Sequence, residues 1–296
     1  MLTRREAVVA GAALIALPAA IAASPRAKFL AGIRRLEREI GGGARIGVAL
    51  IDPINGPSAT WRAAERFPMC STFKLLLAAQ ILWRVDHGLE RINRPIAIPA
   101  TGILPNSPTT QAHAGGTLPV KTLCEAAITQ SDNTAANLLL DTVSGPAGLT
   151  KFLRTTGDAV TRLDRTETAL NEGAPGDPRD TTTPQAMLDT LRRLTFGSVL
   201  QLESRRQLMF WLANNTTGTE KLRKGLPASW AIGDKTGAGG HNSNNDIALI
   251  WPAGRAPRQP VFAAIFITGG PGDDALARNW VHAKIGTLIA ELVGGR

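Results

Sequence analysis

The 296-residue sequence predicts an α/β (α+β) protein, in which an antiparallel sheet flanked by helices is built from both ends of the chain and an all-α lobe is inserted between them. Strand-like patterns lie near the two ends, and helical patterns fill the middle. The chain is 44% hydrophobic and long enough for two lobes that share a core. A cleft between such lobes is the natural place for a functional site.

Residues 1–22 predict an export signal. A charged start with Arg4 and Arg5 precedes an apolar run and a stretch of small residues. This three-part pattern is typical of a signal peptide cut after Ala22, and the arginine pair is typical of the twin-arginine type. The alternative, a lipid-embedded anchor, requires a longer apolar run. We therefore expect a periplasmic or secreted protein.

The remaining chain, 23–296, is predicted to form one domain. Its α/β lobe is expected at 26–66 and 214–296, and its all-α lobe at 67–213. No later apolar run is long enough to cross a bilayer, so we expect a mature form without a membrane span, and a monomer.

The elements follow from periodicity and from turn residues. Apolar residues share one face of a helix at 26–40, which three glycines end, and two strands follow at 44–52 and 58–65. Helical patterns then occur at about 71–87, 120–130, 133–143, 146–156, 184–196 and 201–213. Three strands at 229–237, 245–252 and 259–270 precede a closing helix at 273–293.

Two long loops interrupt the helical region. Residues 95–119 are rich in Pro, Gly and Thr, and residues 163–183 have little apolar content. Long irregular loops in compact domains are usually functional, so the second loop is a candidate for site residues.

Charge and composition argue against several classes of function. The net charge is +9, and it becomes +8 when residues 1–22, with two Arg and one Glu, are removed. The basic residues are scattered without a stripe of interleaved aromatics, so we expect no nucleic-acid partner, although such a charge could attract anionic envelope polymers. No Cys-x-x-Cys or His-Cys cluster occurs, and we expect neither a metal nor a cofactor.

The stretch PMCSTFKLLL at 68–77 places two possible nucleophiles beside one possible base. On a helix, Lys74 shares a face with both Ser71, three residues away, and Cys70, four residues away. The start of a helix favours negative charge, so it suits an oxyanion and disfavours a protonated lysine. A neutral Lys74 would be a competent base, but spacing alone does not choose its partner.

Three further motifs carry chemistry-bearing side chains, and each has an ordinary structural explanation. Ser131-Asp132-Asn133 precedes a helical pattern and could be an N-cap cluster. Lys235-Thr236-Gly237 could be a strand that runs into a glycine turn, and Glu167 with Asn171 could belong to a solvated loop. Each motif alone is weak evidence for a site.

Taken in order, Ser-x-x-Lys, Ser-Asp-Asn, Glu-x-x-Leu-Asn and Lys-Thr-Gly resemble the class A serine β-lactamases over essentially the whole mature chain. The resemblance implies the β-lactamase/transpeptidase-like fold. It also implies hydrolysis of the β-lactam amide of penicillins and cephalosporins, small-molecule antibiotics, and hence resistance to them.

The resemblance implies a role for each matched residue. Ser71 would be the acylated nucleophile, Lys74 its proton partner, and Ser131 the relay to the departing nitrogen. Glu167 and Asn171 would hold and activate the hydrolytic water. The substrate would be bound by Asn133, Lys235, Thr236 and the backbone around Gly237 and Ala238, where the N–H groups of Ser71 and Ala238 would form an oxyanion hole. Arg165 and Asp180 would form a structural pair across the loop.

Two positions depart from the family pattern. Asn106 stands where an aromatic residue often forms a wall of the cleft. Lys221 matches one position of a carboxylate-binding Arg, and it could supply that charge without a bidentate fork or be an exposed strand-edge lysine. The other such position falls near Asn244 and Asn245.

The two cysteines are expected to be buried free thiols. The resemblance pairs the position of Cys70 with that of Gly239, and the position of Cys124 with that of Ala78, so neither finds a cysteine. A catalytic cysteine also needs a partnering histidine, and none of the four His carries such a signature. The competing hypotheses are a penicillin-binding DD-peptidase or transpeptidase, and a non-catalytic envelope-binding module on the same fold.

Overall fold

The computed structural model describes residues 24–54, 58–272 and 274–294. The predicted signal peptide, 1–22, lies outside the described residues. Within them, no helix is both long enough and apolar enough to cross a membrane.

The sheet of the protein joins both ends of the chain. The described residues form the strands β1 (Arg45–Ile51), β2 (Ser58–Trp61), β3 (Phe67–Pro68), β4 (Pro95–Ala97), β5 (Thr117–Pro119), β6 (Thr181–Thr182), β7 (Ala231–Gly239), β8 (Ser243–Trp251) and β9 (Val261–Thr268). Five of them form an antiparallel sheet in the order β2-β1-β9-β8-β7, so β7 is an edge strand. Gly237 on β7 lies opposite Asn245 on β8.

The described residues form ten helices, which include those on both faces of this sheet. They are α1 (Pro25–Ile40), α2 (Phe73–Asp86), α3 (Pro108–Ala112), α4 (Val120–Thr129), α5 (Asn133–Asp141), α6 (Gly145–Thr155), α7 (Pro184–Phe196), α8 (Leu202–Ala213), α9 (Leu222–Gly225) and α10 (Asn279–Gly294). Because successive strand residues point to opposite faces, Ile265 packs with α1 and α10, whereas Phe266 packs with α2 and α7. The predicted antiparallel sheet flanked by helices is confirmed.

Helix α2 lies at the centre of the hydrophobic core that contains Phe266 and α7. Ten consecutive residues from Phe73 to Leu82 are buried, which is typical of a helix surrounded by other elements. Its N-terminus lies beside the edge strand β7, with which the preceding residues 70–72 are in contact. The fold thereby places the start of a rigid helix at the edge of the sheet.

Several boundaries differ from the sequence prediction. The helix expected from Ser71 begins as a 3₁₀ turn, Cys70–Thr72, before α2. The closing helix begins at Asn279 after a short 3₁₀ turn instead of at residue 273. The loop at 95–119 contains the short elements β4, α3 and β5, and the strand expected at 58–65 ends at Trp61.

Candidate active site

Ser71 lies where the chain turns into α2. Cys70, just before it, adopts a left-handed conformation with φ of 46°. This conformation is unfavourable for a residue with a side chain and is found disproportionately at functional sites. Lys74 Nζ lies 3.0 Å from Ser71 Oγ, as the spacing of three residues predicts.

Lys74 is the centre of a buried polar cluster. Its side chain is fully buried, and Nζ donates to the backbone oxygen of Ser131 at 2.8 Å and to Asn133 Oδ1 at 2.6 Å. Glu167 Oε1 lies 2.9 Å from Nζ. Burial lowers the pKa of Lys74 below its usual value of 10.5, and the Glu167 carboxylate offsets this in part.

Glu167 reaches the cluster from the loop at 163–183. Its Oε1 accepts a hydrogen bond from Ser71 Oγ at 3.3 Å, and its Oε2 accepts one from Asn171 Nδ2 at 2.6 Å. The 3₁₀ turn Ala169–Asn171 brings Asn171 to this position, and the Glu167–Thr168 peptide bond is cis. The nucleophile, the lysine and the carboxylate therefore meet in one place.

Asn137, which sequence reasoning missed, holds the backbone of Glu167. Its Oδ1 accepts from the Glu167 N–H and its Nδ2 donates to the Glu167 carbonyl oxygen, both at 2.9 Å. Asn133 and Asn137 are four residues apart on α5 and so share a face, which was the only signal in the sequence. The side chain positions the carboxylate by fixing its backbone.

Arg165 and Asp180 lie together at the two ends of the loop. Arg165 Nε lies 2.6 Å from Asp180 Oδ2, and Asp180 Oδ1 accepts from the backbone N–H groups of Asp164 and Arg165. Arg165 also pairs with Glu172. Asp180 is 1% exposed, so the two ends of the loop are joined by a buried carboxylate.

Ser131 lies between two lysines. Its Oγ is 3.4 Å from Lys74 Nζ and 3.1 Å from Lys235 Nζ, and its φ of 59° is again left-handed. Burial, with the charge of Lys74, lowers the pKa of Lys235 well below its usual value. The structure thus links the Ser-Asp-Asn and Lys-Thr-Gly motifs directly.

The strand β7 approaches the nucleophile closely at Gly237. A Cβ atom there would lie 2.8 Å from the Met69 carbonyl oxygen and 3.2 Å from the Ser71 backbone nitrogen. Only glycine therefore fits, and its neighbour Ala238 lies on the same edge strand. Asn245, on β8, strengthens this contact because its Nδ2 donates to the carbonyl oxygens of Pro68 and Met69.

Thr236 follows Lys235 on β7. Its hydroxyl lies within hydrogen-bond distance of the Thr217 hydroxyl. Thr217 is a second residue that sequence reasoning missed, since nothing in the local pattern marks it.

Asn133 and Asn106 are tied into the same region. The Asn133 amide donates to the Pro105 carbonyl oxygen at 2.8 Å, and its backbone N–H donates to the Asn106 carbonyl oxygen. Asn106 is exposed, and its Nδ2 donates to the Ser131 carbonyl oxygen at 3.1 Å. An exposed polar amide therefore stands at this edge of the site, at the position where the family pattern often has an aromatic residue.

Lys221 is buried, so the prediction that it could be an exposed strand-edge lysine is wrong. The residue immediately precedes α9 and is 2% exposed. Its Nζ donates to Asn244 Oδ1 and to the carbonyl oxygens of Asn245, at 3.0 Å, and Gly237, at 3.3 Å. Burial lowers the pKa of Lys221 to about 8.

Both cysteines are buried free thiols. Burial raises the pKa of Cys70 to about 12, so the thiolate is disfavoured. A Cβ atom on Gly239 would lie 2.7 Å from Cys70 Sγ, which shows that this sulfur packs against β7. In the described part of the chain, no group of three or more His, Cys, Asp or Glu could hold a metal ion.

Comparison with known proteins decides the family. The model of a family described as "Beta-lactamase enzyme family" matches residues 31–293. The chain belongs to this family.

Named relatives of this β-lactamase agree. It is 48% identical to β-lactamase CTX-M-8 of Citrobacter amalonaticus, over 75% of this chain and 76% of that protein. It is 46% identical to β-lactamase L2 of Stenotrophomonas maltophilia, over 88% of this chain and 84% of that protein.

Solved structures agree as well. An ancestral class A β-lactamase reconstructed for Gram-negative bacteria is 54% identical, with a TM-score of 0.84 over 89% of this chain and 99% of that chain. A β-lactamase from Xanthomonas campestris is 46% identical, with a TM-score of 0.87 over 92% of this chain and 99% of that chain. The resemblance to class A serine β-lactamases is confirmed, and the protein is a hydrolase of that class.

Proposed function

We propose that this β-lactamase opens the β-lactam amide of penicillins and cephalosporins through an acyl-enzyme on Ser71. The observation that carries this proposal is the position of Ser71 Oγ, which lies 3.0 Å from Lys74 Nζ and 3.3 Å from Glu167 Oε1 in a buried cluster. A hydroxyl in contact with two candidate bases can be deprotonated as it attacks the carbonyl.

Acylation needs an acceptor for the Ser71 proton and a cradle for the oxyanion. Lys74 and Glu167 are both within reach of the hydroxyl, and either is a competent acceptor. The close approach of β7 at Gly237 supports an oxyanion hole made of the backbone N–H groups of Ser71 and Ala238. Ser131, in contact with both Lys74 and Lys235, would pass a proton to the departing nitrogen.

Substrate binding is proposed along the edge strand β7 and at Asn133. Lys235 and Thr236 would hold the substrate carboxylate, with the buried charge of Lys221 behind β7 adding to the attraction. Asn133 would bind the acylamide side chain. Because Lys221 donates to protein oxygens, we assign it an electrostatic contribution through the strand.

Deacylation needs an activated water molecule. Glu167 Oε2 bonds to Asn171 Nδ2, and Asn171 Oδ1 is buried without a hydrogen-bond partner among the described residues. The pair therefore offers a water molecule one basic carboxylate and one free acceptor. The buried, anchored Glu167 favours a hydrolase over the transpeptidase alternative, which a β-lactam would leave acylated, and over a non-catalytic module.

The resulting physiological role would be resistance to β-lactam antibiotics. We propose that the protein acts after export, in the periplasm or outside the cell, on the strength of the pattern at 1–22. We further propose that it acts as a monomer.

Turnover of a chromogenic cephalosporin by the purified protein tests the proposal. Wild type should perform many turnovers, Ser71→Ala should lose at least a thousandfold in kcat, and Cys70→Ala should retain the reaction. Glu167→Ala should accumulate a penicillin adduct visible by mass spectrometry. A single slow turnover by wild type would support the transpeptidase alternative, and normal deacylation by Glu167→Ala would exclude the role given to Glu167.

A further inference from the structure

A basic depression of about 730 Å³ lies at the N-terminal end of the loop that carries Glu167. It is lined by α6 and by the segment 159–164, and its charged residues are Arg66, Lys151, Arg154, Arg162 and Asp164. Asp164 pairs with Arg162 at 2.6 Å. The other three cations have no carboxylate partner among the described residues, so the depression carries an uncompensated positive charge.

Two guanidinium groups in the depression are held in place by neutral oxygen atoms. Arg66 Nη1 donates to the Val160 carbonyl oxygen at 3.1 Å and to Thr181 Oγ1 at 3.0 Å. Arg154 Nη1 donates to the carbonyl oxygens of Asp158 and Thr161 at 2.5 and 2.8 Å. These bonds fix each planar group without neutralising it, and they leave Nε and Nη2 of both arginines without an acceptor in the described chain.

The nearby carboxylates are already satisfied. Asp158 is 3% exposed and accepts from two backbone N–H groups and from the Thr190 hydroxyl. Asp164 accepts from Arg162 and from the Asp180 N–H. Neither carboxylate makes an ion pair with Arg66 or Arg154, so the positive charge is available to an external anion.

We propose that this depression binds a phosphate group, either as a soluble phosphate compound or as the headgroup of a lipid. The planar fork of an arginine matches the oxygen geometry of phosphate, and a charge-assisted pair of such bonds is strong. Arg66 and Arg154 present preset forks, and Lys151, exposed on the same helix as Arg154, adds a point charge at the rim. The volume exceeds that of a phosphate ion, which leaves room for the molecule that carries it.

Titration of the purified protein with inorganic phosphate and with pyrophosphate, followed by two-dimensional NMR at low salt, tests the proposal. Saturable shifts should be confined to Arg66 and residues 147–164. Arg66→Gln and Arg154→Gln should each weaken binding at least tenfold, and Lys151→Gln about threefold. The matched control is Arg206→Gln, since Arg206 is exposed and pairs with Glu203, and it should bind like wild type.

Vesicles separate the two sources of phosphate. If the ligand is a lipid headgroup, the protein should sediment with phosphatidylglycerol vesicles and not with phosphatidylcholine vesicles. The same variants should then lose this sedimentation. Binding of pyrophosphate without vesicle binding identifies a soluble compound. The exposed Lys151 side chain makes no hydrogen bond or ion pair with the residues that the structure describes, so Lys151→Gln remains informative if the arginine variants unfold. The proposal is overturned if phosphate and pyrophosphate cause no saturable chemical-shift changes. It is also overturned if the changes spread over all basic surfaces and persist in Lys151→Gln.

Discussion

The Lys74 ammonium group contacts oxygen atoms of four other residues in the active site. Its Nζ lies within 3.4 Å of oxygen atoms from Ser71, Ser131, Asn133 and Glu167. An ammonium has three protons, so these acceptors cannot all be satisfied at once. Because its pKa is lowered, the group can also lose a proton. Lys74 is therefore suited to exchange partners as protons move between Ser71 and Ser131.

Asn137→Ala should impair deacylation more than acylation. The change removes both hydrogen bonds to the Glu167 backbone and leaves two polar groups unpaired, so the carboxylate loses its fixed position. We expect kcat for a penicillin to fall at least tenfold while the acyl-enzyme fraction in the steady state rises, measured by quenched mass spectrometry. Asn214→Ala is the control, because Asn214 is exposed and bonds only within its own helix end. An unchanged acyl-enzyme fraction in Asn137→Ala would contradict the role.

Among individual residues, the sequence predicts contacts between side chains that are close in the chain. The remaining contacts of the site are hydrogen bonds between residues that are far apart in the chain. The Ser71–Lys74 contact follows from a separation of three residues on a helix. The bonds of Asn137 to Glu167 and of Asn245 to Met69 join residues 30 and 176 positions apart. Such bonds depend on packing of distant elements, which no local pattern records.

At the scale of elements, the loop at 163–183 is a structured part of the site. The strand pair of β3 with β6 joins its C-terminal end to residues just before Ser71, and the Met69 N–H donates to the Asp180 carbonyl oxygen at 2.9 Å. Composition predicted a long irregular loop here, but two-residue strands have no periodicity to detect. By contrast, α7 was predicted with its observed bounds, because Thr183 caps it and Pro184 opens it.

Asp180→Asn should loosen this loop. The change keeps the side-chain shape but removes the charge that pairs with Arg165 at 2.6 Å in a nearly buried position. We expect a loss of about 2 to 4 kcal/mol in the free energy of unfolding and faster amide exchange at 164–172. Asp177→Asn is the matched control, since Asp177 pairs with Arg179 in the same loop but at its surface. Equal exchange rates in the two variants would argue against a special role for Asp180.

At the scale of the whole molecule, the sheet separates two kinds of environment. One face of β7 and the loops beside it carry the reactive cluster. The other face covers buried ionisable groups: Lys221, Asp234 and Asp246. Burial raises the pKa of Asp246 well above its usual value, because the charged carboxylate is poorly solvated there. The strand pattern predicted the sheet, whereas the burial of Lys221 depends on how α9 and α10 close over it, so the sequence left its exposure open.

The buried Lys221 should make the stability of the whole protein rise at alkaline pH. Its pKa is about 8 in the folded protein and about 10.5 in the unfolded chain, so between these values the unfolded chain binds more protons. The free energy of unfolding should therefore increase with pH in this window, by up to about 3 kcal/mol from this residue. Below pH 8 both states are protonated, and the contribution is constant.

Urea unfolding at pH 7.5 and pH 10 measures this contribution. The difference in free energy of unfolding between wild type and Lys221→Met should grow in favour of wild type as the pH rises, because the variant has no group to titrate. The Lys221 charge also lowers the pKa of Asp246, so the folded variant should keep the Asp246 proton to a higher pH. This loses stability in the variant as the pH rises and adds to the difference in the same direction. Lys224→Met is the control, since the Lys224 side chain is 57% exposed, and its curve should run parallel to that of wild type. A parallel curve for Lys221→Met would mean that Lys221 keeps an ordinary pKa, and the buried charge behind β7 would then persist throughout the alkaline range.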